Sequence, residues 1–244
     1  MEKLYNIDFA ALSRTEKAKL IHNFAEIAEE SFSEYPFEVA VNAQLLIFTR
    51  WWNSYRLMLS ENPTPQIFEC IFQHLWDYQE GKMERSEFVQ FSKCLDASVL
   101  EIAIGDSEKL YEDKAYYDFL EKNFKDWEPL YDEFIIDLTY VCYGISEHEM
   151  LWTNVESILY GDIADIRIPL LEGMEETYRM EEIYSTDRFC QVIALLQKDM
   201  KTAVEGRPIA ELRAIYQNEY LFSPEDVTKI LRWINCVKTD GYEQ

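Results

Sequence analysis

Residues Phe37 to Leu59 read FEVAVNAQLLIFTRWWNSYRLML, and at helical spacing their apolar side chains fall on nearly every side. Val39, Leu45, Phe48, Trp51, Trp52 and Leu57 cannot all share one face. A helix that is apolar all round must be covered by neighbours, so the rest of the chain has to wrap this one. Arg50 and Arg56 interrupt it. Their stems can pack while their heads snorkel to an edge or meet a carboxylate. The alternative is a basic group inside a binding pocket.

The elements available for wrapping are also helical. Ser13-Arg14-Thr15-Glu16 fits a capping box, in which the serine hydroxyl accepts a backbone N–H and the glutamate reaches back. Leu20, Phe24, Ile27, Ala28 and Phe32 follow at steps of three and four. Pro65, with Thr64 as cap, opens a stripe of Ile67, Phe68, Ile71, Phe72, Leu75 and Trp76 that ends at Gly81. Ser86 opens another, closed by Gly105, and the two form an αα-hairpin. Pro129 restarts the chain into Leu130, Phe134, Leu138 and Val141, down to Gly144. Ser146-Glu147-His148-Glu149 reads as a second capping box. Between Asp162 and Ser185 the pattern weakens: Pro169 can start a helix, but Gly173 interrupts it. Asp187 to Val204 is strongly periodic, and Pro208 and Ser223 introduce two more helices.

Gly81, Gly105, Gly144, Gly161 and Gly206 each stand just past an apolar helical pattern, where a left-handed cap belongs. The VAV at Val39 to Val41 and the IRI at Ile166 to Ile168 are too brief to make a sheet. The expected fold class is all-α, with nine or ten helices in one irregular bundle or helical array. No linker is long enough to divide it, so residues 1–244 are expected to be a single domain. Cys94, Cys142 and Cys190 are spaced by 48 residues, with Cys236 following at 46. Helix-pair repeats have periods of roughly 40–47 residues, but the residues flanking these cysteines do not align well.

Charge narrows the partners. Lys plus Arg is 23 and Asp plus Glu is 46, a net charge of −23. Such a field repels phosphate backbones and anionic lipid, so neither nucleic acid nor membrane is an expected partner. The five cysteines are odd in number and form no CxxC pair, and Met1-Glu2-Lys3 opens without an apolar signal. Reduced thiols in a cytoplasmic protein are the simplest expectation.

Motifs for chemistry are missing. The residues three before His22, His74 and His148 are Lys19, Ile71 and Ile145, so the Glu-x-x-His pattern of bundle metal sites fails at each. His148-Glu149 begins a zincin motif, but Trp152 stands where its second histidine belongs. Asp162-x-x-Asp165 and Glu172-x-x-Glu175-Glu176 could place acids on one face, a spacing that 46 acids produce freely. There is no GxSxG elbow and no glycine-rich phosphate loop. No catalytic residue, metal ligand or cofactor is assigned.

The most unusual stretch runs from Leu110 to Tyr143: ten of its 34 residues are aromatic, nine are acidic and three basic. Some of that acidity has a local cause. Asp118 precedes Lys122 and Glu121 precedes Lys125 by four residues, and Asp126, Glu128, Asp132 and Glu133 lie near a helix start. The aromatic density is left over. Aromatic rings concentrate binding energy at interfaces, and an acidic surround speeds capture of basic partners. The expected partner-binding residues are Tyr116, Tyr117, Asp118, Glu121, Asp126, Trp127, Tyr131, Asp132 and Glu133.

The segment Ile71-Phe72-Gln73-His74-Leu75-Trp76-Asp77, an apolar helix ending in Leu-Trp-acid, together with the helix order and charge, resembles the acidic all-helical immunity proteins of bacterial toxin systems and related helical families. The resemblance implies a non-catalytic inhibitor that masks a basic site on a toxin or nuclease. One alternative is a helical adaptor holding a peptide or helix on a concave apolar surface near Trp51, Trp52 and Trp76. Another is a small-molecule or metal-dependent enzyme with a pocket lined by Arg50 or paired carboxylates.

Overall fold

In the computed structural model, residues 2–58, 66–106, 108, 113–124, 132–149, 152–174 and 178–240 are described. They are all-α, with no strand among the described residues. The helices outnumber the expected nine or ten, because several are short pieces divided by bends and π-type turns. The chain divides into two compact units, one made of Met1–Glu61 with Val155–Gln244, the other of Asn62–Asn154. From their order along the chain alone, the first is called the outer unit below and the second the central unit.

The outer unit is built around the apolar helix. Two 3-10 turns (Leu4–Asn6 and Phe9–Ala11) lead into α1 (Arg14–His22), α2 (Phe24–Phe32) and α3 (Phe37–Met58). The Ser13–Glu16 capping box forms: Glu16 Oε2 accepts from Ser13 N at 2.9 Å, and Ser13 Oγ accepts from Glu16 N. Along α3, Ala43, Leu46, Phe48, Trp51, Trp52 and Tyr55 are all buried. Each aliphatic or aromatic side chain of that size contributes roughly 1.5–3 kcal/mol when fully buried. The cover comes from the C-terminal half of the chain, chiefly α11 (Asp187–Val204), with α12 (Ile209–Tyr216) and α13 (Pro224–Asp240). The 3-10 turns sit on α11, where Gln197 Nε2 donates to the carbonyls of Leu4 (2.7 Å) and Ile7 (2.9 Å).

The central unit comprises α4 (Gln66–Gln79), α5 (Arg85–Val99), α6 (Lys114–Asn123) and α7 (Asp132–Glu147). Helix α5 packs against all three others. Aromatic contacts seal it: Phe68 stacks on Phe134 (5.2 Å between centroids), Tyr78 on Phe88 (4.6 Å) and His74 on Phe91 (3.9 Å). A π turn, Leu100–Ile104, ends α5 at left-handed Gly105 (φ 76°).

Helix α8 (Thr153–Ser157) runs into a ten-residue π segment, Ile158–Arg167, then into α9 (Ile168–Glu172) and α10 (Met180–Ile183) of the outer unit. Pro169 lies in the first turn of α9, as its fixed φ allows. The helix lasts only five residues because Gly173 ends it in the left-handed region (φ 66°). Gly173 is therefore a helix terminator and not a weak interior position.

Three of the five expected glycine caps form, at Gly81, Gly105 and Gly206. Gly161 lies inside the π segment, and α7 continues straight through Gly144 to Glu147. The second capping box does not form, because Ser146 is still helical and its hydroxyl donates back to the Tyr143 carbonyl at 2.8 Å. His148, expected to start a helix, instead ends α7 in the left-handed region (φ 63°). Glu149 N donates to Gly144 O (2.7 Å) and His148 N to Ile145 O (3.3 Å), the paired bonds of a Schellman ending. A Cβ at Gly144 would stand 2.5 Å from the Glu149 carbonyl oxygen, which is why glycine sits there.

Candidate functional site

Helix α6 begins where Asp113 Oδ1 accepts the Ala115 N–H at 2.8 Å. Phe119 meets Phe91 of α5 edge-on (5.8 Å), and Phe124 just past the helix is buried. That fixes which face looks outward. Tyr116 is half-buried, while Tyr117, Asp118 and Glu121 are exposed, Tyr117 by 46%. The Tyr117 hydroxyl donates to Glu121 Oε1 at 2.8 Å, so ring and carboxylate are presented together. Asp118 pairs with Lys114 (3.2 Å), one turn before it, where the sequence pointed to Lys122. At such exposure either pairing is worth only a few tenths of a kcal/mol. Of the other expected residues, Asp126, Trp127 and Tyr131 lie outside the described residues. Asp132 and Glu133 start α7, and their side chains also lie outside the described residues.

Helix α7 adds a second outward face that sequence reasoning missed. Phe134, Ile135, Leu138, Val141, Cys142 and Ile145 are buried. The opposite side carries half-buried Asp137, Tyr140 (51% exposed), Tyr143 (46%) and exposed Glu147, at steps of three, three and four. Tyr117, Tyr140 and Tyr143 are three of the five large apolar or aromatic side chains left exposed among the described residues. The same acidic stretch supplies all three. Its signal was available in the sequence as an acid–Tyr–Tyr–acid run opposite the Phe134–Leu138–Val141 stripe. Beneath it, burial pushes the Cys142 thiol well above its usual range, with nearby Cys70 adding to the effect.

Arg50 is the main concentration of buried charge, and it does not line an open pocket. It is 1% exposed. Its Nε and Nη2 donate to Asp199 Oδ2 (2.9 Å) and Oδ1 (2.8 Å), and its Nη1 donates to Glu219 Oε2 (2.6 Å) and the Tyr220 carbonyl (3.2 Å). Tyr216 donates its hydroxyl to Asp199 Oδ1, and the guanidinium lies over the Tyr216 ring, 5.3 Å from its centroid. Burial opposes the Arg50 charge, but Asp199 and Glu219 outweigh it and hold its pKa above the ordinary value. Burial pushes the Asp199 carboxyl up against those same bonds. Alongside, Asn53 donates to the Tyr216 and Glu219 carbonyls, and Ser54 Oγ accepts from the N–H groups of Leu221 (2.8 Å) and Phe222 (3.0 Å). Arg50, Asn53 and Ser54, one face of α3, therefore fix the 216–222 connection. The arrangement ties elements together, with Nε, Nη1 and Nη2 of Arg50 all donating within the protein.

The acids that the sequence spacing singled out are also engaged where they are described. Asp162 takes Trp51 Nε1 (3.1 Å) and Arg167 Nε (2.8 Å), while Asp165 accepts the Tyr178 hydroxyl. Glu172 pairs with Arg188 (3.0 Å), and Glu175 and Glu176 lie outside the described residues. Burial raises the Glu156 carboxyl above its ordinary value, partly offset by the nearby Ala25 and Phe24 N–H groups. Among the described residues no three His, Cys, Asp or Glu side chains gather to hold a metal ion. Trp51, Trp52 and Trp76, expected under the adaptor alternative to border an open apolar surface, are interior at 3–4% exposure. Among the described residues no helix is long and apolar enough to cross a membrane.

No protein-family model, curated protein or solved structure matches the chain.

Proposed function

We propose that this chain is a non-catalytic binding protein whose acidic, tyrosine-bearing surface on the central unit holds a basic protein partner, in the manner of an immunity-type inhibitor covering a basic site on a toxin or nuclease. The observation that carries this is where the exposed rings are. Tyr117, Tyr140 and Tyr143 all come from the stretch with nine acidic and three basic residues, and Glu121 is hydrogen-bonded to one of them. An exposed tyrosine offers rigid contact area with a polar tip, and surrounding carboxylates steer cations toward it. Inhibition would follow from excluding substrate, with no bond made or broken.

The test is affinity capture from the native cell at low and high salt, with the wild-type chain and a Tyr117→Ala/Tyr140→Ala/Tyr143→Ala variant. The expected result is a basic protein, eluted by salt and lost from the variant. Recovery of the same proteins by both chains at both salt levels would contradict the proposal.

A further inference from the structure

A separate feature of the outer unit points to a second ligand class. Glu2, Ile7 and Leu12, which flank the two 3-10 turns, border an open groove of about 460 Å³ together with α1 and α2. Its floor is apolar: Ile7, Leu12 and Ile27 are half-buried, and Leu20 closes the bottom. Its rim is acidic, with exposed Glu2, Glu16, Glu26 and Glu30, against Lys19 as the one basic lining residue. Four carboxylates and one ammonium leave the groove with a charge of −3. Glu16 is held in place by its bonds from Ser13, which keep its carboxyl below the ordinary range. Glu2, Glu26 and Glu30 make no ion pair among the described residues. The groove adjoins a smaller cavity that shares Glu2, Ile27 and Glu30 and adds Ser31 and Glu34. There Lys3 is already committed, to Glu34 at 3.6 Å and to the Glu30 carbonyl. The result is an acid-edged apolar trough along one side of α2.

We infer that this trough docks a basic amphipathic peptide segment, with one or two aliphatic side chains on the floor and flanking Lys or Arg residues against the rim. Charge complementarity selects that occupant. A neutral apolar ligand would leave the carboxylates unanswered, and a purely cationic chain would leave the floor wet. A second copy of this chain would set like charges against each other, and nucleic acid would be repelled. The volume falls within the roughly 300–1,000 Å³ usual for ligand-binding clefts, room for one or two side chains of a peptide. The inference does not rest on the tyrosine surface.

The test uses fluorescence anisotropy with three labelled peptides of equal length: a Lys/Leu amphipathic helix, the same peptide with every Leu replaced by Ser, and its Glu/Leu counterpart. Only the Lys/Leu peptide is expected to bind tightly. Its affinity should fall roughly tenfold or more in Glu26→Lys/Glu30→Lys and in Ile27→Ser, and stay unchanged in Tyr140→Ala/Tyr143→Ala. None of these positions is in the core, and circular dichroism checks that helix content is kept. Glu26→Gln/Glu30→Gln, with a smaller loss expected, serves if the charge reversal misfolds. Equal binding of the Ser-substituted peptide overturns the inference, as does affinity indifferent to the Glu26 and Glu30 changes. Loss only in the tyrosine variant would overturn it too, assigning the peptide to the other surface.

Discussion

At the scale of single residues the outer unit depends on a charge with no access to water. Arg50 is held by two carboxylates and a carbonyl, and Asp199 by the guanidinium and a tyrosine hydroxyl. Removing one member strands the others. Asp199→Ala should therefore cost roughly 3–5 kcal/mol of stability, whereas Arg50→Met combined with Asp199→Leu should cost much less than the sum of the single changes. Urea titration of the single and double variants checks this. Glu219 contributes an acid-side pH dependence. Burial alone would raise its carboxyl, but the Arg50 hydrogen bond and charge, with Lys198, hold it below its ordinary value. Its contribution is therefore complete above the unfolded value of about 4.3 and is lost as pH falls through the lower folded one. Glu219→Gln should flatten the urea midpoint against pH in that acid window and leave the neutral region sloping as before. An unaltered acid slope would show that other carboxylates dominate. The Arg50 stem and carboxylate pairing were legible in the sequence. Asp199 as the partner was not, because residues 149 positions apart meet only through the packing of α3 on α11.

At the scale of elements, three- and four-residue periodicity specified the long helices well, because one buried face suffices to place each of them. Endings were harder. Gly81, Gly105 and Gly206 terminate helices as their positions suggested, but Gly144 does not. Its role depends on a carbonyl five residues ahead, which no local pattern reveals. Gly144→Ala should destabilise the central unit by roughly 1–3 kcal/mol, since the new methyl must push backbone and not a flexible side chain. Thermal melts of that variant beside Gly81→Ala, where a Cβ meets open space but the φ is 69°, separate crowding from backbone strain. The outward face of α6 was partly legible: Asp118 and Glu121 are exposed on the polar side, whereas Tyr117, whose spacing to Leu120 and Phe124 put it on the apolar stripe, is exposed as well. Tyr140 and Tyr143 were less legible as surface rings, because tyrosine beside a strong apolar stripe fits a buried position as readily as an exposed one.

At the scale of the whole molecule, net charge is the property that most limits what the chain can meet. A charge of −23 acts over about 8 Å at physiological ionic strength, enough to bias encounters but not to define a contact. Definition has to come from rings and grooves, and both the tyrosine surface and the acid-edged trough provide apolar contact inside a negative field. The most direct measurement is the association rate of the captured basic partner at rising ionic strength, for the wild-type chain and for Tyr140→Ala/Tyr143→Ala. Binding through the acidic tyrosine surface predicts a rate that falls steeply with salt. It also predicts that the tyrosine variant associates at nearly the wild-type rate but dissociates at least about tenfold faster. A rate indifferent to salt, with dissociation unchanged in the variant, would contradict it.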